Sequence, residues 1–250
     1  MIKVELVSHC YSAVFSHYAS ALCYQLSSFI LYRQRYPSNI EVVATICCTK
    51  EDIRTRKVLA WYDLERLKYH GLSLNVYYLE PSFLGRRAIG RNIVAKKSKS
   101  DIVWFADVDQ VYKNGCLDDL AEMDWPRDSV MVYPKKIKIH KDHAIGDKAT
   151  SLVENDPKLV DINIDDFVDK RYGKAIGGVQ IVQGDFARKH GYLQNNHKWQ
   201  KPTNGEFVAC RCDIPYRRYC KEYGEITGID LLGMYRIRHT EAAHGRPPKV

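Results

Sequence analysis

The chain lacks any apolar run near the roughly 20 residues that cross a bilayer. Its opening residues, Met1-Ile2-Lys3-Val4-Glu5-Leu6-Val7, have a strand pattern without the h-region or small-residue cleavage site of a secretory leader. A disulfide framework is also missing. The eight cysteines (Cys10, Cys23, the adjacent Cys47 and Cys48, Cys116, Cys210, Cys212 and Cys220) follow no recognisable spacing, and they read as reduced thiols of a cytosol-like compartment. The run Cys210, Cys212, Cys220 matches no standard zinc ribbon. There is no repeat and no low-complexity linker, so the 250 residues read as a single α/β domain with ample core. No glycine-rich phosphate loop follows the first strand, where Ser8-His9-Cys10-Tyr11 stands instead; this counts against a nucleotide-sugar-forming nucleotidyltransferase. Acidic residues are in deficit, 30 against 38 Lys and Arg, leaving +8. That excess favours an anionic partner such as a nucleotide, nucleic acid or membrane surface. The absence of interleaved aromatic and basic residues counts against a non-enzymatic nucleic-acid-binding protein.

What is present centres on Asp101-Ile102-Val103-Trp104-Phe105-Ala106-Asp107-Val108-Asp109. Four consecutive large apolar residues, Ile102 to Phe105, read as a strand buried on both faces, as in parallel sheets. Residues two apart on a strand share a face, so Asp107 and Asp109 are expected to project together. Two carboxylates so close raise each other's pKa unless a cation neutralises them. Oxygen-only ligands suit Mg²⁺ or Mn²⁺, which commonly bridge carboxylates to substrate phosphates.

Strand and helix patterns alternate before this point. Lys3 to Ser8 reads as a strand, and a helix from about Ser12 carries Tyr18, Leu22, Leu26, Phe29 and Ile30 on one face. Glu41 to Cys48 is the second strand, Asp52 caps the next helix, Gly71 stops it, and Leu74 to Leu79 is the third strand. Such alternation implies a mostly parallel sheet with ligands beyond the carboxyl ends of its strands. Ser8 to Tyr11, Thr49 to Asp52 and Asp107 to Asp109 then share one rim. The basic helix over residues 85–99 places Arg87 and Arg91 on one face, next to Asn92, while Lys96, Lys97 and Lys99 read as a solvated surface.

Gly90-Arg91-Asn92 on a helix, followed by an apolar strand running into Asp107-Val108-Asp109, resembles the GT-A glycosyltransferases, closest to glycosyltransferase family 2. The resemblance covers the first half of the chain best. It implies a GT-A fold with a nucleotide-sugar-binding half (residues 1–110) and an acceptor-binding half (residues 111–250). It further implies an inverting transfer from a nucleotide sugar, with a UDP-sugar as the default, to a hydroxyl of a saccharide or of another polyanionic acceptor such as modified DNA. The donor would lie against Ser8, His9, Tyr11, Thr49 and Asp52, with Arg87, Arg91, Asn92, Asp107 and Val108 nearer its phosphates. Mn²⁺ or Mg²⁺ would be held by Asp107 and Asp109. A histidine from a late strand would be a further ligand, His239 first and His244 as the alternate. Gly177 and Gly178, opening a strand, would line the acceptor side. In the family an acidic pair opens a helix and supplies the general base. Here Cys212 replaces the first acid and Asp213 holds the position of the second, as an expected N-cap. Glu206 and Asp185 stand in reserve. Residues 143–172 are expected to be a long loop with short helices.

Overall fold

The computed structural model describes residues 1–35, 39–113, 115–153, 156–204 and 211–240. Four strands open the sheet: β1 (Ile2–His9), β2 (Ile40–Cys48), β3 (Leu72–Tyr78) and β4 (Ile102–Phe105). Their apolar, largely β-branched composition suits a pleat covered on both faces. They pair in parallel: β1 with β2 from Ile2↔Ile40 to His9↔Cys47, β2 with β3 from Val42↔Leu72 to Cys48↔Tyr78, and β1 with β4 from Val4↔Ile102 to Val7↔Phe105. The crossovers are α1 (His17–Arg35), α2 (Ile53–Arg66), and the pair α3 (Pro81–Leu84) and α4 (Arg87–Lys97). Asp52 caps α2 as expected, its carboxylate accepting from the Thr55 amide. Helix α1 begins at His17, five residues later than its periodicity suggests. The Ser12 amide and hydroxyl are held by Asp52, and Val14 and Phe15 both donate to the Tyr11 carbonyl, so this stretch is spent on a turn.

Onward come β5 (Gln110–Tyr112), α5 (Cys116–Glu122), β6 (Ser129–Pro134), β7 (Lys136–His140), α6 (His143–Ser151) and β8 (Phe167–Arg171). The chain then forms β9 (Gln180–Gln183), α7 (Gly184–His190), α8 (His197–Gln200), α9 (Asp213–Lys221), β10 (Glu225–Ile229) and β11 (Met234–Arg236). The main sheet runs β10-β6-β9-β4-β1-β2-β3, and a second sheet runs β5-β11-β7-β8. The main sheet is parallel except at β9, which is antiparallel to both neighbours. Strand β8 was not legible in its sequence, because only Phe167 of its five residues is buried and no alternation marks it.

Candidate active site at the carboxyl rim of the sheet

Because β1, β2 and β4 run parallel in register, His9, Cys48 and Phe105 end along one rim. Asp107 and Asp109 lie beyond it. They do not extend β4, which stops at Phe105; the Gln110 amide turns back to the Asp107 carbonyl at 3.3 Å. A residue from β11 brings the carboxylates together. Arg236 places Nε 2.9 Å from Asp109 Oδ2 and Nη2 3.9 Å from Asp107 Oδ2. Asp107 Oδ1 also receives Arg87 Nη1 at 2.7 Å and Arg91 Nη2 at 3.4 Å. The turn is pinned from below by Gln25 Nε2 donating to the Asp107 carbonyl at 2.9 Å, and by the Ile237 amide donating to the Asp109 carbonyl at 2.8 Å. Burial pushes the Asp107 carboxyl up. The guanidinium fields of Arg87, Arg236 and Arg91 outweigh it and hold the group below its ordinary range. Asp109 Oδ1 is buried and has no hydrogen-bond partner among the described residues. A buried carboxylate oxygen without a partner leaves a desolvated acceptor to be satisfied, and a cation is one group with the chemistry to do so.

The basic helix divides its labour. Arg87 reaches the rim with 24% of its side chain exposed, whereas Arg91 is sealed beneath it. Arg91 donates to Tyr192 Oη at 3.1 Å and to the Ala106 carbonyl at 3.3 Å, and lies over the Phe105 and Tyr192 rings. Asn92 Oδ1 accepts from the Tyr192 amide at 3.0 Å. Expected to face the donor, Arg91 and Asn92 instead tie α4 to the segment after α7. Lys96, Lys97 and Lys99 are exposed, as expected. Gly90 lets α4 come down on the end of β1, because a Cβ there would overlap His9 Nε2. Burial, then the Arg91 and Arg87 charges, push the His9 imidazole well below its usual pKa, so it is neutral at neutral pH.

Ser8, His9, Tyr11 and Thr49 are all buried, so they form the floor under the rim rather than an open wall. Asp52 is a latch between loops. Both its oxygens accept from Ser12 and from Thr55, joining the turn after β1 to the start of α2. Val108, between the two aspartates, is also buried.

On the opposite flank, Gly178 fits against the acidic turn. Its carbonyl accepts from Trp104 Nε1 at 2.9 Å and Gln110 Nε2 at 2.7 Å. A Cβ at Gly178 would overlap Gln110 Nε2 and come within 2.8 Å of Asp107 Oδ2, and one at Gly177 would stand 3.7 Å from the same oxygen. From β9, Gln180 Nε2 donates to the Asp213 carbonyl at 3.1 Å, and Gln180 Oε1 accepts from Tyr192 Oη, which Arg91 also reaches. The start of α9 is thereby tied to the acidic turn. Asp213 is the first residue of α9 and Cys212 is the N-cap, with no side-chain cap bond; the expected capping role is not seen. Asp185 is on the wrong side of the sheet. Strand β9 pairs Gln180 with Phe105 and Gln183 with Ile102, so α7 starts at the far rim, where Asp185 is 96% exposed and bound to Arg188. Glu206, His244 and Cys210 lie outside the described residues.

A cavity of about 310 Å³ opens beside Asp109, lined also by Ile139, His143, Lys170, Tyr172, Arg236, Ile237, Arg238 and His239. His239 is buried, stacked on His17 at 5.8 Å and edge-on to Tyr18 at 5.6 Å. It shares the cavity with Asp109, but among the described residues no three His, Cys, Asp or Glu side chains group as a metal site. Asp107, Asp109 and His239 therefore do not form the expected triad in this conformation. The sequence reading missed Arg236, Arg238 and Lys170. The alternation Arg236-Ile237-Arg238 at the end of a short strand was the available signal.

This strand order defines a mixed α/β fold whose parallel strands end on one rim of a seven-stranded sheet flanked by helices. No family model matches the chain, and no curated protein is similar to it in sequence. Solved structures do match. Staphylococcus aureus TarS 1–349 superposes with a TM-score of 0.54 at 15% identity over 94% of this chain and 60% of that one. The mannosyltransferase PcManGT from Pyrobaculum calidifontis, in complex with GDP-Man and Mn²⁺, superposes with a TM-score of 0.53 at 12% identity over 96% of this chain and 58% of that one. The chain thus spans about three-fifths of the length of these two proteins. Its fold is that of the GT-A glycosyltransferases.

Proposed function

We propose that the chain is an inverting, metal-dependent glycosyltransferase that moves a sugar from a nucleotide sugar, by default a UDP-sugar, to a hydroxyl. The observation that carries this reading is the pair Asp107 and Asp109 at the carboxyl rim, ringed by Arg87 and Arg236, with Asp109 Oδ1 left open. The GDP-Man and Mn²⁺ bound to PcManGT on the same fold support a nucleotide-sugar donor and a divalent ion. The residues present fit such an ion: Asp107 and Asp109 would hold it, with the donor diphosphate filling the remaining oxygen positions. Bound there, it supplies neutralisation of the leaving diphosphate. Arg87 and Arg236 contribute to the same end, as rim cations able to donate to phosphate oxygens where negative charge develops. Three arginines already surround two carboxylates, so an anion is needed to balance any added cation, and donor and metal should bind together. Asp213, at the start of α9 on the Gly178 flank, takes the proton of the acceptor hydroxyl. The hydroxyl oxygen attacks the anomeric carbon from the face opposite the diphosphate, which departs with the electron pair of the broken C–O bond. Saccharides are the acceptor class this reading favours, and no observation singles out DNA.

The test is equilibrium binding of UDP with and without Mn²⁺. Affinity raised at least tenfold by Mn²⁺, and lost in Asp109→Asn, is the expected result. Equal binding in chelator by both proteins would overturn the metal assignment.

A further inference from the structure

The cavity beside Asp109 carries more positive charge than donor chemistry on the rim accounts for. Three permanent cations, Lys170, Arg236 and Arg238, face one carboxylate, Asp109, and Arg236 is already bound to it. Lys170 and Arg238 make no ion pair among the described residues. Around them, Lys136 and Lys138 share Asp169, and Arg238 reaches only the His140 carbonyl at 3.5 Å and His143 Nε2 at 3.4 Å, both long contacts. Arg238, half-buried, and Lys170, exposed, stand on the walls of one concavity, and an anion bound there would be a partner for both.

The topology says which substrate brings that anion. In the transfer reading the donor lies along the ends of β1 and β2 and its diphosphate reaches Asp107, Asp109 and Arg236, so the donor borders the cavity only on the Asp109 and Arg236 side. Lys170 and Tyr172 belong to β8 and the segment that follows it, and that segment runs into Gly177 and Gly178 against Asp107 Oδ2. The cavity wall is thus continuous with the flank that leads through Gln180 to Asp213. Its volume of about 310 Å³ admits one small charged group, at the low end of the roughly 300–1,000 Å³ of small-molecule sites.

We infer that Lys170 and Arg238 form a subsite for an oxyanion, a phosphate or carboxylate, carried by the acceptor near its reacting hydroxyl. The substrate class is an acidic saccharide rather than a neutral sugar. This deepens the transfer reading above and rests on it.

The test is calorimetric titration of inorganic phosphate into protein already saturated with UDP and Mg²⁺, repeated with Lys170→Gln and Arg238→Gln. Both positions lie outside the proposed catalytic groups, so nucleotide-sugar hydrolysis without acceptor should match wild type in both variants and report that they fold. The inference predicts that phosphate binds alongside UDP and that each substitution weakens it at least fivefold. Displacement of phosphate by UDP would overturn it, by assigning the cavity to the donor. Absent binding, or binding that both variants retain, would overturn it as an adventitious ion only. A protein that binds phosphate but neither binds UDP nor hydrolyses a nucleotide sugar would overturn the acceptor role through the transfer reading, and not through the cavity.

Discussion

Arg236 gives the sharpest energetic prediction, because it is the cation that joins the two rim carboxylates. Its Nε stands 2.9 Å from Asp109 Oδ2, with 29% of the arginine and 7% of the aspartate side chain exposed. At such separations two unit charges interact by roughly 4 kcal/mol or more at an effective dielectric constant of about 20. Removing one partner of a buried pair typically costs about 3–5 kcal/mol, because the other is left charged and unpaired. Partial exposure of Arg236, and the retention of Arg87 and Arg91 by Asp107, put Arg236→Gln at the lower end, about 3 kcal/mol. For about 250 residues each kcal/mol moves Tm by about 2–4 °C, so a fall of roughly 6–12 °C is expected. In the double variant Asp109→Asn/Arg236→Gln the orphaned charge is gone, and much of that loss should return. Mn²⁺ should also raise the Tm of Arg236→Gln more than that of wild type, since it binds a carboxylate that the native state now leaves open. Differential scanning calorimetry of the four proteins, with and without Mn²⁺, reads all three effects. Additivity of the two substitutions within about 0.5 kcal/mol would refute the coupling, and with it the role assigned to Arg236.

Three further outcomes follow from the geometry. Gly178→Ala should cost about 1–3 kcal/mol by overpacking against Gln110 and Asp107 and slow donor hydrolysis at least tenfold; wild-type Tm and rate together would refute the close approach. Burial and the nearby arginines hold the His9 pKa below the unfolded value of about 6.5. As pH falls below that value the unfolded chain binds the extra proton, so this contribution is full above about pH 6.5 and lost below it. Between pH 7.5 and 5, wild-type Tm should fall more steeply than that of His9→Gln, and parallel profiles would contradict the assignment. Asp213→Asn should lower kcat at least about a hundredfold with UDP affinity unchanged. A near-normal rate would move the base to Glu206.

How much of this was legible in the sequence divides along physical lines. Strands with apolar runs, such as Ile102–Phe105, and the capped helix at Asp52 declared themselves, because periodicity and capping are local signals. The shared rim followed from strand–helix alternation alone. The reversed direction of β9 was not legible, since Gln180–Gln183 has the same composition in either orientation. That single reversal carries Asp185 to the far rim and sets Gln180 where its amide meets the Asp213 carbonyl. Side-chain roles were least legible. Arg87 and Arg91 are one helical turn apart, yet one pairs with Asp107 at the rim with part of its side chain exposed and the other is enclosed by Phe105 and Tyr192. Arg236 acts on carboxylates more than a hundred positions earlier, through a β11–β5 pairing that sets Arg236 opposite Gln110. No local pattern encodes such a contact.

The central claim, sugar transfer from a nucleotide sugar at the Asp107–Asp109 rim, is tested most directly by acceptor-free turnover. Wild-type protein and Asp109→Asn would each be incubated with a panel of UDP-, GDP- and other nucleotide sugars, with Mn²⁺ or with chelator, and release of the nucleoside diphosphate followed. The account predicts slow hydrolysis of one donor class by wild type with Mn²⁺, abolished by chelator and by the substitution while the Tm shows Asp109→Asn still folded. Release of diphosphate at the wild-type rate by Asp109→Asn in chelator, or no release from any donor by a folded wild type, would contradict it.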